Sequence, residues 1–160
     1  MNFDEELMSR LFEKFVLSYY RKHYPQYSAR SAKVEWNIDA EDSTLSLIPE
    51  MRTDIMLTFP RRTLIIDTKY YGQSIQEYMD KATIRSNNLY QINSYVLHED
   101  KTHSGNVDGM LLYAKTQEAI CPDGQMKHYD GNIIYFRNLD LNQDFGIIKH
   151  QLNSFIGMYL

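Results

Sequence analysis

Hydrophobic residues recur every three or four positions in three parts of the chain, the spacing that lines one side of an α-helix. The pattern predicts helices over residues 4–24, 86–99 and 144–158, and it places Phe145 on the core-facing side of the third helix. Asp4 is a suitable N-cap for the first helix, and Pro25 follows its last residue. Ser86 can cap the second helix in the same way. These three segments are the predicted helical part of the fold.

Between the helices the period changes to two, or to short apolar runs typical of strands. Val34, Trp36 and Ile38 alternate with polar residues, which predicts a half-buried strand. Apolar runs predict further strands at residues 54–59, 64–67, 110–113 and 133–136, with a short segment at 45–48 and a surface loop over 71–85. The Asp-Gly pairs at 123–124 and 130–131 predict turns.

The order of these segments predicts the fold class. Strands 54–59 and 64–67 are separated by so few residues that an antiparallel hairpin is expected. Later strands alternate with helices, which favours parallel pairing. We therefore expect an α/β fold in which a mixed central sheet is flanked by helices on both faces. A length of 160 residues fits a single domain.

Composition excludes several classes of protein. Hydrophobic residues make up 43% and charged residues 24%, the balance of a folded globular chain. No apolar run approaches the ~18 residues of a membrane span. The acidic start of the chain is unlike a signal peptide, so we expect a cytoplasmic protein without a membrane partner. One cysteine, Cys121, allows neither an internal disulfide nor a cysteine-rich zinc site. The formal net charge of -4 argues against nucleic-acid binding by bulk electrostatics but not against a nucleic-acid enzyme.

Two acids at strand ends are the candidate chemical groups. Asp54 opens one strand of the predicted hairpin, Asp67 closes the other, and Lys69 follows on the same face. The hairpin brings both acids to the same end of the sheet. Neighbouring carboxylates repel each other unless a cation lies between them, and oxygen ligands suit Mg²⁺. A lysine beside such a cation could orient or deprotonate a water and offset charge on a phosphate.

Taken singly, these residues have simpler interpretations. An acid two positions before a lysine, as in Asp67 and Lys69, is common by chance. Asp54 and Asp67 could each be an ordinary turn residue. Glu13 could be a solvated helix acid, and Gln91 and Tyr95, four apart on one helix face, could be a packing pair. The five histidines have no metal-ligand spacing. Three arginines, Arg61, Arg62 and Arg85, could contact phosphates, but solvated positions are the simpler interpretation. The placement of both acids beside strongly apolar strands favours a site.

The arrangement resembles a nuclease family. Residues 49–54 (PEMRTD) followed by residues 64–69 (LIIDTK) resemble the signature of the PD-(D/E)XK nucleases. Gln91 and Tyr95 match the QxxxY helix motif of the RecB-like branch, and Glu13 lies on the opening helix, where many members place an acid. With residues 11–16 included, the chain is most similar to the C-terminal nuclease domain of McrC proteins, over about residues 7–97.

The resemblance implies a restriction-endonuclease-like fold and Mg²⁺-dependent cleavage of DNA phosphodiester bonds, with Mn²⁺ able to substitute. It implies that Asp54 and Asp67 hold the metal, that the backbone carbonyl of Thr68 is a further ligand, and that Glu13 binds the metal or one of its waters. It also implies that Lys69 positions the attacking water. Gln91 and Tyr95, on the facing helix, would hold the substrate or the acidic residues in place.

The same resemblance implies partners: DNA, a McrB-like GTPase ring, and a second copy of the chain for double-strand cleavage. The chain departs from the family at Thr53, which stands where proline is usual. It also lacks the N-terminal region with which McrC proteins engage the GTPase, so we expect a fragment, an excised domain or a shortened relative. Two alternatives stay open: a repair or recombination nuclease on the same fold, and a catalytically silent interaction subunit.

Overall fold

Three helices form as the sequence predicts. A computed structural model describes residues 3–71, 84–116 and 122–160. Helix α1 spans Phe3–His23, α2 spans Ser86–Glu99 and α3 spans Phe145–Ile156. Among the described residues, no helix is long and apolar enough to cross a membrane. Most of the predicted loop over 71–85, and Cys121, lie outside the described residues.

A five-stranded mixed sheet forms the centre of the fold. Its strands are β3 (Ile55–Thr58), β4 (Thr63–Lys69), β5 (Val107–Lys115), β6 (Gly124–Lys127) and β7 (Ile133–Asp140). Their order across the sheet is β3-β4-β5-β7-β6, with β4, β5 and β7 parallel and both edge strands antiparallel. A separate antiparallel pair consists of β1 (Lys33–Val34) and β2 (Met51–Arg52). The prediction of an α/β fold with a mixed sheet is confirmed.

Helices cover both faces of the sheet, again as predicted. Buried residues of α1 and α3 share one core with one face of the sheet, for example Val16 and Leu152 with Ile66. The other face packs against α2, where Ile92 and Val96 share a second core with neighbouring strand residues. Burial on both faces explains why the central strands read as continuous apolar runs.

The hairpin prediction is confirmed, and its register defines the position of the candidate acids. Strands β3 and β4 pair with Ile55 opposite Ile66 and Met56 opposite Ile65. Continuing this register by one residue puts Asp54 opposite Asp67, on the face of the sheet that α2 covers. These acids also lie at the carboxyl end of β4 and its parallel neighbour β5, where ligands commonly bind in open α/β sheets.

Four local predictions were wrong. The predicted strand around Val34 stops after that residue, because Trp36 turns away to pack against the ring of His98 and Ile38 is exposed. Ser86 is the first helical residue rather than the cap, a position occupied by Arg85. Asp123-Gly124 does not form an isolated turn, since Gly124 begins β6. Phe145 was expected to face the core but is exposed.

A buried ion pair closes the opposite end of the sheet. Arg62, expected to be solvated, donates from Nε and Nη2 to the two carboxylate oxygens of Asp108, at 2.9 and 2.6 Å. Tyr159 donates its hydroxyl to Asp108 at 2.6 Å, and the backbone N–H of Ile133 donates to it at 2.9 Å. The carboxylate is buried but fully bonded, so this network ties the hairpin to β5, β7 and the end of the chain.

Candidate active site

Asp54 is held against the end of β4 by one residue. Thr68 donates its backbone N–H to Asp54 Oδ2 at 2.8 Å and its hydroxyl to the same oxygen at 3.0 Å. These bonds and the hairpin register together fix the position of Asp54 beside Asp67.

Asp67 is a buried carboxylate, with 3% of its surface exposed. Burial raises its pKa to about 7, the charge of Asp54 adds to the rise, and Lys69 partly offsets it. Lys69 Nζ lies 2.8 Å from Asp67 Oδ2. A carboxyl group that titrates this close to neutrality exchanges its proton readily for a cation.

Lys69 is held between the strand and α2. Its Nζ donates to Gln91 Oε1 at 2.9 Å, and Gln91 Nε2 donates to the Tyr95 hydroxyl at 2.9 Å. Burial lowers the pKa of Lys69, but Asp67 outweighs burial and the net shift is upward. The side chain is therefore an ammonium ion at neutral pH, which can donate hydrogen bonds but cannot remove a proton from water.

Glu13 reaches the site from α1, the helix on the other face of the sheet. It is half-buried, and burial, the charge of Asp54 and a hydrogen bond with Asp54 together raise its pKa to about 7. Asp54 thus interacts with a carboxyl group on each side, Glu13 and Asp67. The structure brings together all of the predicted site residues: Glu13, Asp54, Asp67, Thr68, Lys69, Gln91 and Tyr95.

All of these residues except Tyr95 line an open cavity of about 380 Å³. Its walls include three carboxylates, from Glu13, Asp54 and Asp67, and two cations, Lys69 and Arg85. Because Glu13 and Asp67 both have a pKa of about 7, a divalent cation can replace their protons and offset the negative charge that would otherwise repel an anionic substrate. Its volume leaves room for a phosphate group with its waters.

The donors at this site suit a hard divalent cation held by few protein ligands. Within the described residues, no group of three or more His, Cys, Asp or Glu side chains is arranged to hold a metal ion. Glu13 is therefore not a third member of a preformed cage around Asp54 and Asp67. Mg²⁺ typically binds through one or two carboxylates and keeps several waters. Two adjacent carboxylates, of which Asp67 is buried and has a raised pKa, fit that pattern.

Thr53, which stands where the resembled family usually has proline, is a buried polar residue at 1% exposure. Its backbone N–H donates to the carbonyl of Ala32 at 2.8 Å, its hydroxyl accepts from the Ala32 N–H at 3.0 Å, and Ser31 Oγ donates to its carbonyl at 2.7 Å. Proline has neither N–H nor hydroxyl. The departure in sequence thus corresponds to a different way of fixing the residue next to Asp54.

Sequence reasoning missed several further residues of the cavity wall, among them Tyr71 and Asn88. Asn88 is buried and donates from Nδ2 to the Tyr71 hydroxyl at 2.6 Å. A signal for Asn88 exists in retrospect, since it lies three positions before Gln91 and so shares its helix face. Tyr71 follows Lys69 by two residues and is the last residue of the described range 3–71.

With this geometry established, comparison with known proteins places the chain. Residues 7–114 match the family described as McrBC 5-methylcytosine restriction system component. The matched segment contains Glu13, both acids of the hairpin and the whole of α2. The chain belongs to this family.

A characterised relative is the type IV methyl-directed restriction enzyme EcoKMcrBC of Escherichia coli (strain K12). The two are 27% identical over 158 residues, which cover 98% of this chain and 44% of the relative. The chain thus spans less than half the length of that relative. Its similarity to a restriction enzyme is distant but extends along nearly the whole sequence.

Proposed function

We propose that this chain is the nuclease part of a McrBC-type restriction system and that it hydrolyses phosphodiester bonds of DNA with Mg²⁺. The observation that carries the proposal is the pairing of Asp54 with buried Asp67 at the strand ends, with Lys69 at 2.8 Å from Asp67. Family membership and the similarity to a restriction enzyme support it.

Asp54 and Asp67 would hold the metal ion, and Mn²⁺ would substitute for Mg²⁺. The carbonyl of Thr68 is a suitable third ligand, because the N–H and C=O of a strand residue point to the same side and the N–H of Thr68 points at Asp54. Glu13 would bind a water of the ion. When bound, such an ion lowers the pKa of its water and stabilises charge on the phosphate.

Lys69 would act as a fixed positive donor. Its ammonium would orient the attacking water and offset the negative charge that develops on the phosphate in the transition state. Gln91 and Tyr95 would keep Lys69 in place through the hydrogen bonds that link the three side chains. Because the pKa of Lys69 is raised, the proton of the water would pass to another acceptor, and the Glu13 carboxylate, which would contact a water of the ion, is the group that we propose for it.

The partners we propose are DNA, a McrB-like GTPase ring and a second copy of the chain that would cut the other strand. A net charge of -4 gives this chain little attraction for DNA, so we expect weak binding with a shallow salt dependence when it is alone. The GTPase would then supply most of the affinity. A cytoplasmic location fits a restriction system.

Calorimetric titration with Mn²⁺ tests this function without requiring any partner. We expect the wild-type chain to bind the ion and Asp67→Asn to bind it at least tenfold more weakly, since one of two carboxylate ligands is lost. Asp130→Asn, in an exposed turn, is the matched control and should bind like wild type. Equal affinity of wild type and Asp67→Asn would refute the metal site and favour a silent interaction subunit.

A further inference from the structure

One wall of the cavity consists of an aromatic ring that is fixed in position. The Tyr71 hydroxyl accepts a hydrogen bond at 2.6 Å from Asn88, which is buried on α2. The ring of Tyr71 also lies against that of buried Tyr113, with 6.3 Å between centroids. The ring therefore has little freedom to rotate away from the cavity.

Arg85 stacks on this ring. Its guanidinium carbon lies 4.5 Å from the centroid of the Tyr71 ring, within the range of a cation–π contact. Stacking involves the flat face of a guanidinium, whereas its N–H donors point outward in the plane and match the oxygens of a phosphate. The contact with Tyr71 thus helps to hold the Arg85 guanidinium at the cavity wall.

Arg85 and Gln91, the partner of Lys69, lie at different positions along the axis of α2. Arg85 precedes α2 and lies six residues before Gln91, which corresponds to ~9 Å along the helix axis. Both Arg85 and Lys69 line the same cavity. Lys69 contacts Asp67, whereas the guanidinium of Arg85 lies against the Tyr71 ring.

We propose that Arg85, held on Tyr71, forms a phosphate-binding subsite for the DNA strand, where it binds a backbone phosphate beside the one that is cut. This inference rests on the proposed function, because it assumes that the strand lies in this cavity. Such a contact reads no base and would hold the strand in register with the metal site.

The salt dependence of DNA binding tests the subsite. Each phosphate contact contributes a slope of about -0.9 to a plot of log affinity against log salt concentration for duplex DNA. With a short fluorescein-labelled duplex, we expect Arg85→Gln to bind about tenfold more weakly at low salt and to lose ~0.9 of the slope. Arg85→Lys should keep the slope, because it keeps the charge.

Arg61→Gln is the matched control, since Arg61 is exposed in the β3–β4 turn at the far end of the sheet. It should leave the affinity and the slope unchanged. If Arg85→Gln binds like wild type, if Arg61→Gln loses as much, or if the wild-type chain fails to bind the duplex at low salt, the subsite is refuted.

A metal titration separates this proposal from the one on which it rests. Arg85→Gln should bind Mn²⁺ like wild type, which also shows that the cavity is intact. If Asp67→Asn also leaves Mn²⁺ binding unchanged while Arg85→Gln loses salt slope, the metal site fails and the phosphate contact stands. If Arg85→Gln loses Mn²⁺ binding together with DNA binding, its effect is structural and the subsite is refuted.

Discussion

Thr68 donates both its backbone N–H and its hydroxyl to one carboxylate oxygen of Asp54, at 2.8 and 3.0 Å. The bonds thus connect the end of β4 to Asp54, which lies immediately before β3. Because Thr68 lies between Asp67 and Lys69, a small shift of this segment would move every polar group of the candidate metal site together. Asp54 is held from its other side by the contacts of Thr53 with Ala32.

The hydroxyl of Thr53 should matter for both stability and metal binding. Thr53→Val keeps the shape but leaves the N–H of Ala32 without its acceptor at 3.0 Å. A buried donor without a partner costs about 1–3 kcal/mol, so we expect urea unfolding to show a loss of that size. Mn²⁺ binding should weaken as well, because Asp54 is the next residue.

Thr53→Ser is the control for that change, since it keeps the hydroxyl and loses a methyl group. We expect Thr53→Ser to retain most of the Mn²⁺ affinity. A Thr53→Val chain with wild-type stability and wild-type Mn²⁺ affinity would contradict the positioning role.

The metal-free chain should become less stable as pH rises through neutrality. The pKa of Asp67 is raised from 3.8 to about 7 and that of Glu13 from 4.5 to about 7, so the folded chain holds protons that the unfolded chain releases. Stability from these groups is complete below about pH 4 and is lost as pH rises to about 8. After allowance for the exposure of Glu13, we expect a loss on the order of 3 kcal/mol in urea unfolding.

Mg²⁺ should reverse this loss, because the ion competes with the protons. We expect it to raise the unfolding free energy at about pH 8 and to have little effect at about pH 5. Glu13→Gln is the control, since it removes one of the raised groups and should flatten the pH profile. If the stability of the metal-free chain does not change over this pH range, the pKa values of Asp67 and Glu13 are not raised in the folded chain, and this prediction is wrong.

The hairpin and the positions of its polar residues could be predicted from the sequence because they depend on local order, whereas Glu13, Gln91 and Tyr95 were predicted only from the family resemblance. Short separation in the chain brought Asp54 beside Asp67, and strand alternation put Lys69 on the same face. The contacts of Thr53 with Ala32 could not be predicted, because they join segments that are distant in the chain and carry no apolar pattern. The roles assigned to the site residues stay predictions.

Other features were not predicted from the sequence, for physical reasons. Strand β6 is a short edge strand with alternating partial exposure, so its four residues carry no apolar run. The strand around Val34 ended early because the ring of Trp36 packs against His98 and its Nε1 donates to the carbonyl of Pro49, in place of continued pairing. The contact of Arg62 with Asp108 spans 46 residues and is invisible to a local pattern.

Asp108 should be important for folding and not for the metal site. Asp108→Ala leaves Arg62 and Tyr159 without their shared acceptor, and breaking a buried pair of this kind typically costs about 3–5 kcal/mol. Urea unfolding should show this loss, while Mn²⁺ affinity, measured where the variant is still folded, should match wild type. Loss of Mn²⁺ affinity in the folded variant would mean that the two ends of the sheet are coupled.

Lys69→Ala should separate metal binding from catalysis. Removing a positive neighbour favours a cation, so Mn²⁺ affinity at about pH 8 should be equal to or tighter than that of wild type. The pH matters, because loss of Lys69 also raises the proton affinity of Asp67, and a lower pH would let protons compete. Markedly weaker Mn²⁺ binding at that pH would mean that Lys69 supports the metal ligands themselves.

The central claim is tested most directly by the rate of Mg²⁺-dependent DNA cleavage, measured with the GTPase partner present and compared among wild type, Lys69→Ala and Asp67→Asn. We predict that wild type cuts DNA and that Lys69→Ala is slower by two to three orders of magnitude, the effect of losing about 2.7–4 kcal/mol of transition-state stabilisation. Asp67→Asn should lose both metal and cleavage. Cleavage by either variant at close to the wild-type rate would contradict the assignment of this site as a nuclease centre.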